Sequence, residues 1–174
     1  MKKLFIILLL LLSCNISAKM LISPAEAMKN TLGSDVEVVK KNILLNKTQA
    51  QKISKDARVK LDSKIFRVYK ALINEKIVAY GILINKKVRS KNATVLYMID
   101  TNSTLRSMEI VAFNEPMEYL PSSRWNAQFD NMDTKQRPRL GKEIATITGA
   151  TLSAQTITDG SRLAFAFYNE VLKR

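Results

Sequence analysis

A glycine flanked by hydroxyl side chains near the C-terminus is the clearest candidate for a chemical site in this sequence. Residues 148–153 read Thr-Gly-Ala-Thr-Leu-Ser, and the apolar and β-branched residues 144–147 before them predict a short strand. Gly149 permits a tight turn, and Thr151 and Ser153 stand where helix N-cap residues are expected. Because a helix N-terminus offers free N–H groups and a positive dipole end, the stretch predicts a site for a phosphate or another anion.

The alternative for this stretch is a structural turn without a ligand. A glycine turn followed by a Thr or Ser cap is common, and local physics alone favours this alternative. The ordered tetrapeptide Thr-Gly-Ala-Thr is more informative, because a chain of this length contains it by chance well under ~1% of the time. The tetrapeptide, rather than the glycine alone, therefore supports a ligand site.

Residues 148–153 resemble the Ser/Thr-Gly-Ala-Thr-x-Ser/Thr signature of the FMN-binding domain family. That family includes the flavin-carrying subunits of the Rnf complex and of the sodium-pumping NADH:quinone reductase. In those relatives the last threonine of the tetrapeptide carries FMN through a phosphoester that a flavin transferase installs. The resemblance therefore implies FMN as the cofactor and Thr151 as its covalent attachment point. The cofactor contacts that it implies here are Thr148, Gly149, Ala150, Thr151, Leu152 and Ser153.

One position departs from the pattern of the modified relatives. They usually carry Asp six residues before the acceptor threonine, whereas this chain has Ala145 there, with Glu143 two residues further away. Two alternatives therefore stay open: FMN joined to Thr151, or FMN held without a covalent bond.

A proline-containing loop after the central strands provides the second part of the expected flavin site. Residues 114–121 contain two prolines and two acids, which predict a rigid connection. In the FMN-binding domain family a Glu followed closely by Pro lies near the isoalloxazine ring, so the resemblance assigns that role to Glu115 and Pro116. Tyr119 and Leu120 are expected to supply apolar walls for the ring. The alternative is a structural loop that aromatic side chains attach to the core.

The elements that must position these stretches follow from the periodicity of the chain. Helices are predicted to begin at Ser23 and Asn46, and a long helix is predicted after the Gly149 turn. Apolar alternation between Ile65 and Phe113 predicts four strands joined by short turns, and a further strand is predicted near residues 36–39. Turns this short favour antiparallel pairing.

The fold class that these elements predict is α+β. We expect a twisted antiparallel sheet of four to six strands with packed helices, and a strand–glycine turn–helix flavin site near the C-terminus. Gly81, within the second of the four strands, is interpreted as a bulge. Trp125 and Phe129 predict a short amphipathic helix after the proline-containing loop.

The start of the chain predicts export. Lys2 and Lys3 precede an apolar run and a small-residue exit at Ala18, the pattern of a secretory signal peptide in residues 1–18. The FMN-binding domain would then occupy residues 19–174. The alternative is a lipoprotein signal ending before Cys14, with that cysteine carrying a lipid anchor. Both alternatives favour the bacterial periplasm or the outer face of the inner membrane.

Composition excludes several classes of chemistry. The chain has no histidine and one cysteine, so Ser–His–Asp or Cys–His catalysis, His-ligated zinc and internal disulfides are excluded. No metal site and no substrate acid or base is expected. The net charge of +13 is spread along the chain without a long basic block, which favours a solvated basic face and no nucleic-acid binding.

The expected function is that of an exported FMN-binding flavoprotein that carries electrons for a membrane-associated redox chain. Its expected partners are a redox protein or a membrane electron-transport complex, and a flavin transferase if the link is covalent. Electron transfer is favoured over a role as a stand-alone enzyme. Two other functions stay open: a flavin-free envelope binding protein that uses its basic face, and a flavin-dependent reductase of a small substrate.

Overall fold

A computed structural model describes residues 20–173, which form one antiparallel sheet with helices on both of its faces. The sheet has five strands whose spatial order follows the chain: β1 (Glu37–Leu44), β2 (Ile65–Ile73), β3 (Lys76–Lys87), β4 (Asn92–Asp100) and β5 (Leu105–Phe113). The helices are α1 (Pro24–Leu32), α2 (Lys47–Ala57), α3 (Ser123–Asn126) and α4 (Thr151–Phe167). Single-turn 3₁₀ segments cover Met117–Tyr119 and Ala127–Phe129, and a π-helical turn covers Tyr168–Leu172. The α+β class with a meandering antiparallel sheet is thus confirmed.

Short turns set the register of the meander. Asn74 and Glu75 join β2 to β3 with φ of 48° and 64°, the positive values that a two-residue hairpin turn requires. The expected bulge at Gly81 is wrong, because the irregularity in this pair of strands lies at Ala71 and Leu72. Gly81 is needed for close packing instead, since a Cβ there would stand 2.8 Å from the sulfur of Met28 in α1.

The helices begin where their caps predict. The Ser23 side chain accepts a hydrogen bond from the Glu26 N–H at 3.2 Å. At α2, the Asn46 side chain accepts from the Gln49 N–H at 2.8 Å while the Gln49 side chain accepts from the Asn46 N–H, a complete capping box. Caps of this kind stabilise a helix by about 1 kcal/mol each, and they act within one turn of sequence.

The larger core lies between the sheet and helices α2 and α4. Phe66 of β2 stacks on Phe167 of α4 with ring centroids 4.2 Å apart. The buried Tyr97 of β4 donates a hydrogen bond from its hydroxyl to the Ile157 carbonyl at 2.7 Å. A second, smaller core lies on the opposite face under α1, where Met28 is fully buried. These contacts fix α4 on the sheet and so determine where its N-terminus lies.

Residues 144–147 do not form the expected strand. Ile144 makes a single parallel bridge with Leu140, and the rest of the segment runs to the Gly149 turn without a ladder partner. Ile144 is nevertheless fully buried, which accounts for the apolar character that suggested a strand.

Side chains from the α3 region take the hydrogen bonds that a neighbouring strand would have made. The Ala145 N–H donates to the side-chain oxygen of Gln128 at 2.8 Å, and the Trp125 indole N–H donates to the Ala145 carbonyl at 2.7 Å. Trp125 meets Phe129 edge to face at a centroid distance of 5.4 Å, and both rings are buried in the larger core, so the indole hydrogen bond links the segment to that core. The backbone is therefore satisfied without joining the sheet.

The described residues contain no helix that is both long and apolar enough to cross a bilayer. The expected signal peptide in residues 1–18 and the alternative lipid anchor at Cys14 lie outside the described residues and stay predictions.

Candidate functional site

The Gly149 turn, the start of α4, the loop after β5 and the β3–β4 loop meet in one cleft of about 220 Å³. The residues that line it are Val88, Arg89, Glu115, Tyr119, Gly149, Ala150, Thr151, Leu152 and Ser153. The two stretches that the sequence analysis combined into one site are therefore neighbours in the fold.

Gly149 forms the turn that the sequence predicts. Its φ of 82° lies in the left-handed region, which glycine adopts without strain. A Cβ placed there would meet nothing within 4 Å, so backbone conformation, and not crowding, requires the glycine. The Ala150 N–H donates to the Ile147 carbonyl at 3.1 Å and closes the turn.

The N-cap of α4 is Ala150, so the expected capping roles of Thr151 and Ser153 are wrong. The chain enters helical geometry directly after the glycine turn, and Thr151 is already the first helical residue. Its hydroxyl donates back to the Ile147 carbonyl at 3.3 Å instead of capping the helix. The Ala150 side chain has no acceptor for the free N–H groups. The first helical hydrogen bond runs from the Ala154 N–H to the Ala150 carbonyl.

Three backbone donors at the start of α4 consequently have no acceptor. Within residues 20–173, the N–H groups of Thr151, Leu152 and Ser153 make no hydrogen bond. The helix has 17 residues, so its dipole reinforces these donors with a partial positive charge. An anion is the natural ligand of such a terminus.

Ser153 supplies an independent sign of a ligand. The residue is 1% exposed and lines the cleft, and its hydroxyl has no hydrogen-bond partner within the described chain. A buried hydroxyl left unpaired costs about 1–3 kcal/mol, which a bound acceptor would recover. The site therefore combines three N–H donors with one unsatisfied O–H donor.

Glu115 lines the cleft while it holds the β3–β4 loop. One of its carboxylate oxygens accepts three successive backbone N–H groups, from Arg89 at 3.0 Å, Ser90 at 2.6 Å and Lys91 at 2.7 Å. These hydrogen bonds, that of the Lys91 N–H first, hold the pKa of Glu115 below its ordinary value against the opposing effect of burial. The carboxylate is thus ionised at neutral pH and anchors the loop.

The other residues expected at the site lie in different places. Tyr119 is half-buried and forms one wall of the cleft. Thr148 and Pro116 are exposed and do not line it. Leu120 lines a separate groove beside α3. The structure therefore brings the Gly149 turn together with Glu115 and Tyr119, and leaves Thr148, Pro116 and Leu120 outside the cleft.

Val88 and Arg89 are the cleft residues that sequence reasoning missed, and Arg89 is the charged one. It is exposed, it lines the cleft, and it forms no salt bridge with any carboxylate among the described residues. In the sequence it is one of many scattered basic residues. The only local signal is its place in a hairpin loop, and that loop reaches the α4 N-terminus only in the folded sheet.

The chemistry open to this cleft is binding. Its titratable side chains are Arg89, Glu115 and Tyr119, and Glu115 is already occupied by the loop. Leu152, 53% exposed, adds an apolar edge at the opening. The arrangement suits a ligand with an anionic end and a planar apolar end, and it offers no paired acid and base.

A larger groove of about 430 Å³ lies along the sheet, but it contains none of the expected site residues. Its lining mixes exposed side chains such as Asn42, Asp62 and Arg67 with core residues. Neither a long helix N-terminus nor an unpartnered buried hydroxyl faces it. Size alone therefore does not make it the better candidate.

No protein-family model matches this chain, and a search of curated proteins finds no significant relative. The resemblance to FMN-binding domains therefore rests on residues 148–153 and on the loop after β5.

Proposed function

We propose that this protein is an FMN-binding flavoprotein that carries electrons for a membrane-associated redox chain. The observation that carries the proposal is the buried, unpartnered hydroxyl of Ser153 beside three free N–H groups at the start of α4. These donors suit a phosphate, whose oxygens accept several hydrogen bonds at once.

The walls of the cleft suit the rest of the cofactor. Tyr119, Val88 and Leu152 offer apolar contacts for a planar ring. A volume of about 220 Å³ is smaller than the ~300–1,000 Å³ of sites that enclose a drug-sized ligand. Part of the ring would thus lie outside the cleft, within reach of a redox partner protein. The flavin supplies one- and two-electron chemistry, and the chain's own residues bind it, orient it and shield one side.

Thr151 is the proposed attachment point if the flavin is covalently bound. It is exposed and lines the cleft, whereas the competing hydroxyl of Thr148 lies outside it. Attachment would join the Thr151 oxygen to phosphorus. The hydroxyl proton would pass to a base of the flavin transferase, and the group that activates the phosphate in the flavin donor would leave. Non-covalent FMN remains the alternative because of Ala145, and both states use the same anion site.

The proposed location is the bacterial periplasm or the outer face of the inner membrane. The support is the signal-like pattern of residues 1–18, and the expected mature N-terminus is Lys19. N-terminal sequencing of the protein from the envelope fraction tests this, and full-length protein confined to the cytoplasm would contradict it.

An absorbance spectrum of the purified protein tests the cofactor directly. Flavin bands, either as isolated or after addition of FMN, are the expected result. A folded protein that stays colourless and takes up no FMN would instead favour a flavin-free binding protein. Turnover of a small acceptor by the flavin-loaded protein alone would favour a reductase.

A further inference from the structure

We propose that Arg89 binds the flavin phosphate opposite the α4 N-terminus, so that the cleft selects phosphate-bearing flavins over riboflavin. This inference rests on the proposed function and adds to it a binding residue and a ligand selectivity. The observation that motivates it is that Arg89 and Thr151 line the same cleft of about 220 Å³.

The guanidinium of Arg89 is available for such a ligand. No carboxylate in residues 20–173 forms a salt bridge with it. The one carboxylate that lines the cleft, Glu115, is directed to backbone N–H groups of the loop. A guanidinium presents parallel N–H donors that match two oxygens of a phosphate.

Glu115 acts as a positioning residue for Arg89. Because it accepts the N–H groups of Arg89, Ser90 and Lys91 together, it fixes the backbone from which the arginine side chain projects. These hydrogen bonds also offset its negative charge, which would otherwise repel a phosphate in the same cleft.

A second set of contacts ties the loop to α4. The Val88 N–H donates to the Lys91 carbonyl at 2.9 Å and closes the hairpin. The Thr156 hydroxyl of α4 donates to the Lys87 carbonyl at 3.4 Å. The backbone of the loop that carries Arg89 is therefore hydrogen-bonded to α4 in the ligand-free protein.

Selectivity follows from the charge of the ligand. FMN carries a phosphate dianion, and riboflavin has a neutral hydroxyl at the same position. The helix N-terminus and Arg89 both favour negative charge, whereas the apolar walls contact the ring that the two ligands share. Removing the positive charge of Arg89 should therefore weaken binding of FMN and leave binding of riboflavin almost unchanged.

The test is a fluorescence titration of the purified chain, prepared without a flavin transferase, with FMN and with riboflavin. We expect Arg89→Gln to weaken FMN binding by about tenfold or more and riboflavin binding by less than about twofold. Arg89→Lys should lose less FMN affinity, because the charge remains. Arg137→Gln is the matched control, since Arg137 is an exposed arginine outside the cleft and the same charge is lost. FMN binding by the wild type should weaken with salt more steeply than binding by Arg89→Gln.

The outcomes separate this inference from the proposed function. If the wild type binds FMN and Arg89→Gln binds it equally well, or loses both ligands alike, the role of Arg89 is wrong and the flavin site stands. If the folded wild type binds neither flavin, the proposed function itself fails. Thermal melting followed by circular dichroism checks that each variant is folded. We expect the Arg89 variants to fold, because Arg89 is exposed.

Discussion

The hydroxyl of Tyr97 occupies the space that a side chain at Gly160 would need. A Cβ at position 160 would lie 2.5 Å from that oxygen, which donates a hydrogen bond to the Ile157 carbonyl at 2.7 Å. Gly160 therefore marks a close approach of α4 to β4, and the helix continues through it. The position of the α4 N-terminus, and hence of the candidate site, depends on this approach.

Gly160→Ala should destabilise the protein by about 1–3 kcal/mol, because the added methyl group overlaps with a fully buried tyrosine. Helix propensity alone would change stability in the other direction, by ~1 kcal/mol. Urea unfolding measures which effect is larger. A variant more stable than the wild type would show that α4 moves away from the sheet at little cost.

Ser153→Ala should leave the ligand-free protein as stable as the wild type or more stable by about 1 kcal/mol, because the lost hydroxyl has no partner. FMN affinity should fall severalfold. Ser161→Ala is the matched control: Ser161 is a buried serine of the same helix, and its hydroxyl donates to the Thr158 carbonyl at 2.8 Å. That variant should lose stability without a specific effect on FMN. Unfolding midpoints measured with and without FMN distinguish the two variants. If FMN raises the midpoints of both variants equally, Ser153 does not contact the ligand.

Glu115→Gln should destabilise the β3–β4 loop near neutral pH, and the stability advantage of the wild type over this variant should shrink in acid. The pKa of Glu115 is lowered from 4.5 in the folded state, so its contribution is fully present above that value. The contribution is lost as the pH falls through the lower pKa of the folded protein. Urea midpoints of wild type and variant should therefore differ near neutral pH and converge in strong acid. A constant difference across that range would mean that the charge of Glu115 does not stabilise the fold.

Thr151 should carry the flavin when the protein is produced together with an exported flavin transferase. On a denaturing gel, flavin fluorescence should survive in Thr148→Ala and disappear in Thr151→Ala. Ala145→Asp introduces the residue usual at this place in the modified FMN-binding domains that residues 148–153 resemble, and it should raise the yield of attachment. Peptide mass mapping identifies the modified residue. Flavin found on Thr148, or released completely on denaturation, would contradict attachment at Thr151; the second result would leave a non-covalent site.

Much of the fold could be predicted from the sequence because the responsible interactions are local. The side chains of Ser23 and Asn46 accept hydrogen bonds from N–H groups three residues later in the chain. The turn at Gly149 depends on the φ angle of the glycine itself. Apolar alternation also depends on each residue's own burial, so the four strands begin at Ile65 and end at Phe113 as predicted.

The predictions from sequence were wrong where the local structure depends on a contact with a residue distant in the chain. Residues 144–147 looked like a strand because Ile144 is buried, but side chains of α3 and its neighbouring turn bond the backbone of Ala145. Gly81 looked like a bulge, but Met28 packs over it from α1, which precedes the first strand. Neither partner is visible in the local pattern.

By itself, the sequence determined the glycine turn, the long helix after it and the hydroxyl residues at its start. The tertiary structure alone decided that Ala150 caps the helix, that Ser153 keeps an unpaired hydroxyl, and that Arg89 lines the same cleft as both. The physical reason is that the cleft is lined by elements far apart in the sequence. The β3–β4 loop, which Glu115 holds, lies beside the α4 N-terminus only after the sheet has formed and α4 has packed against the sheet. That packing requires glycine at position 160.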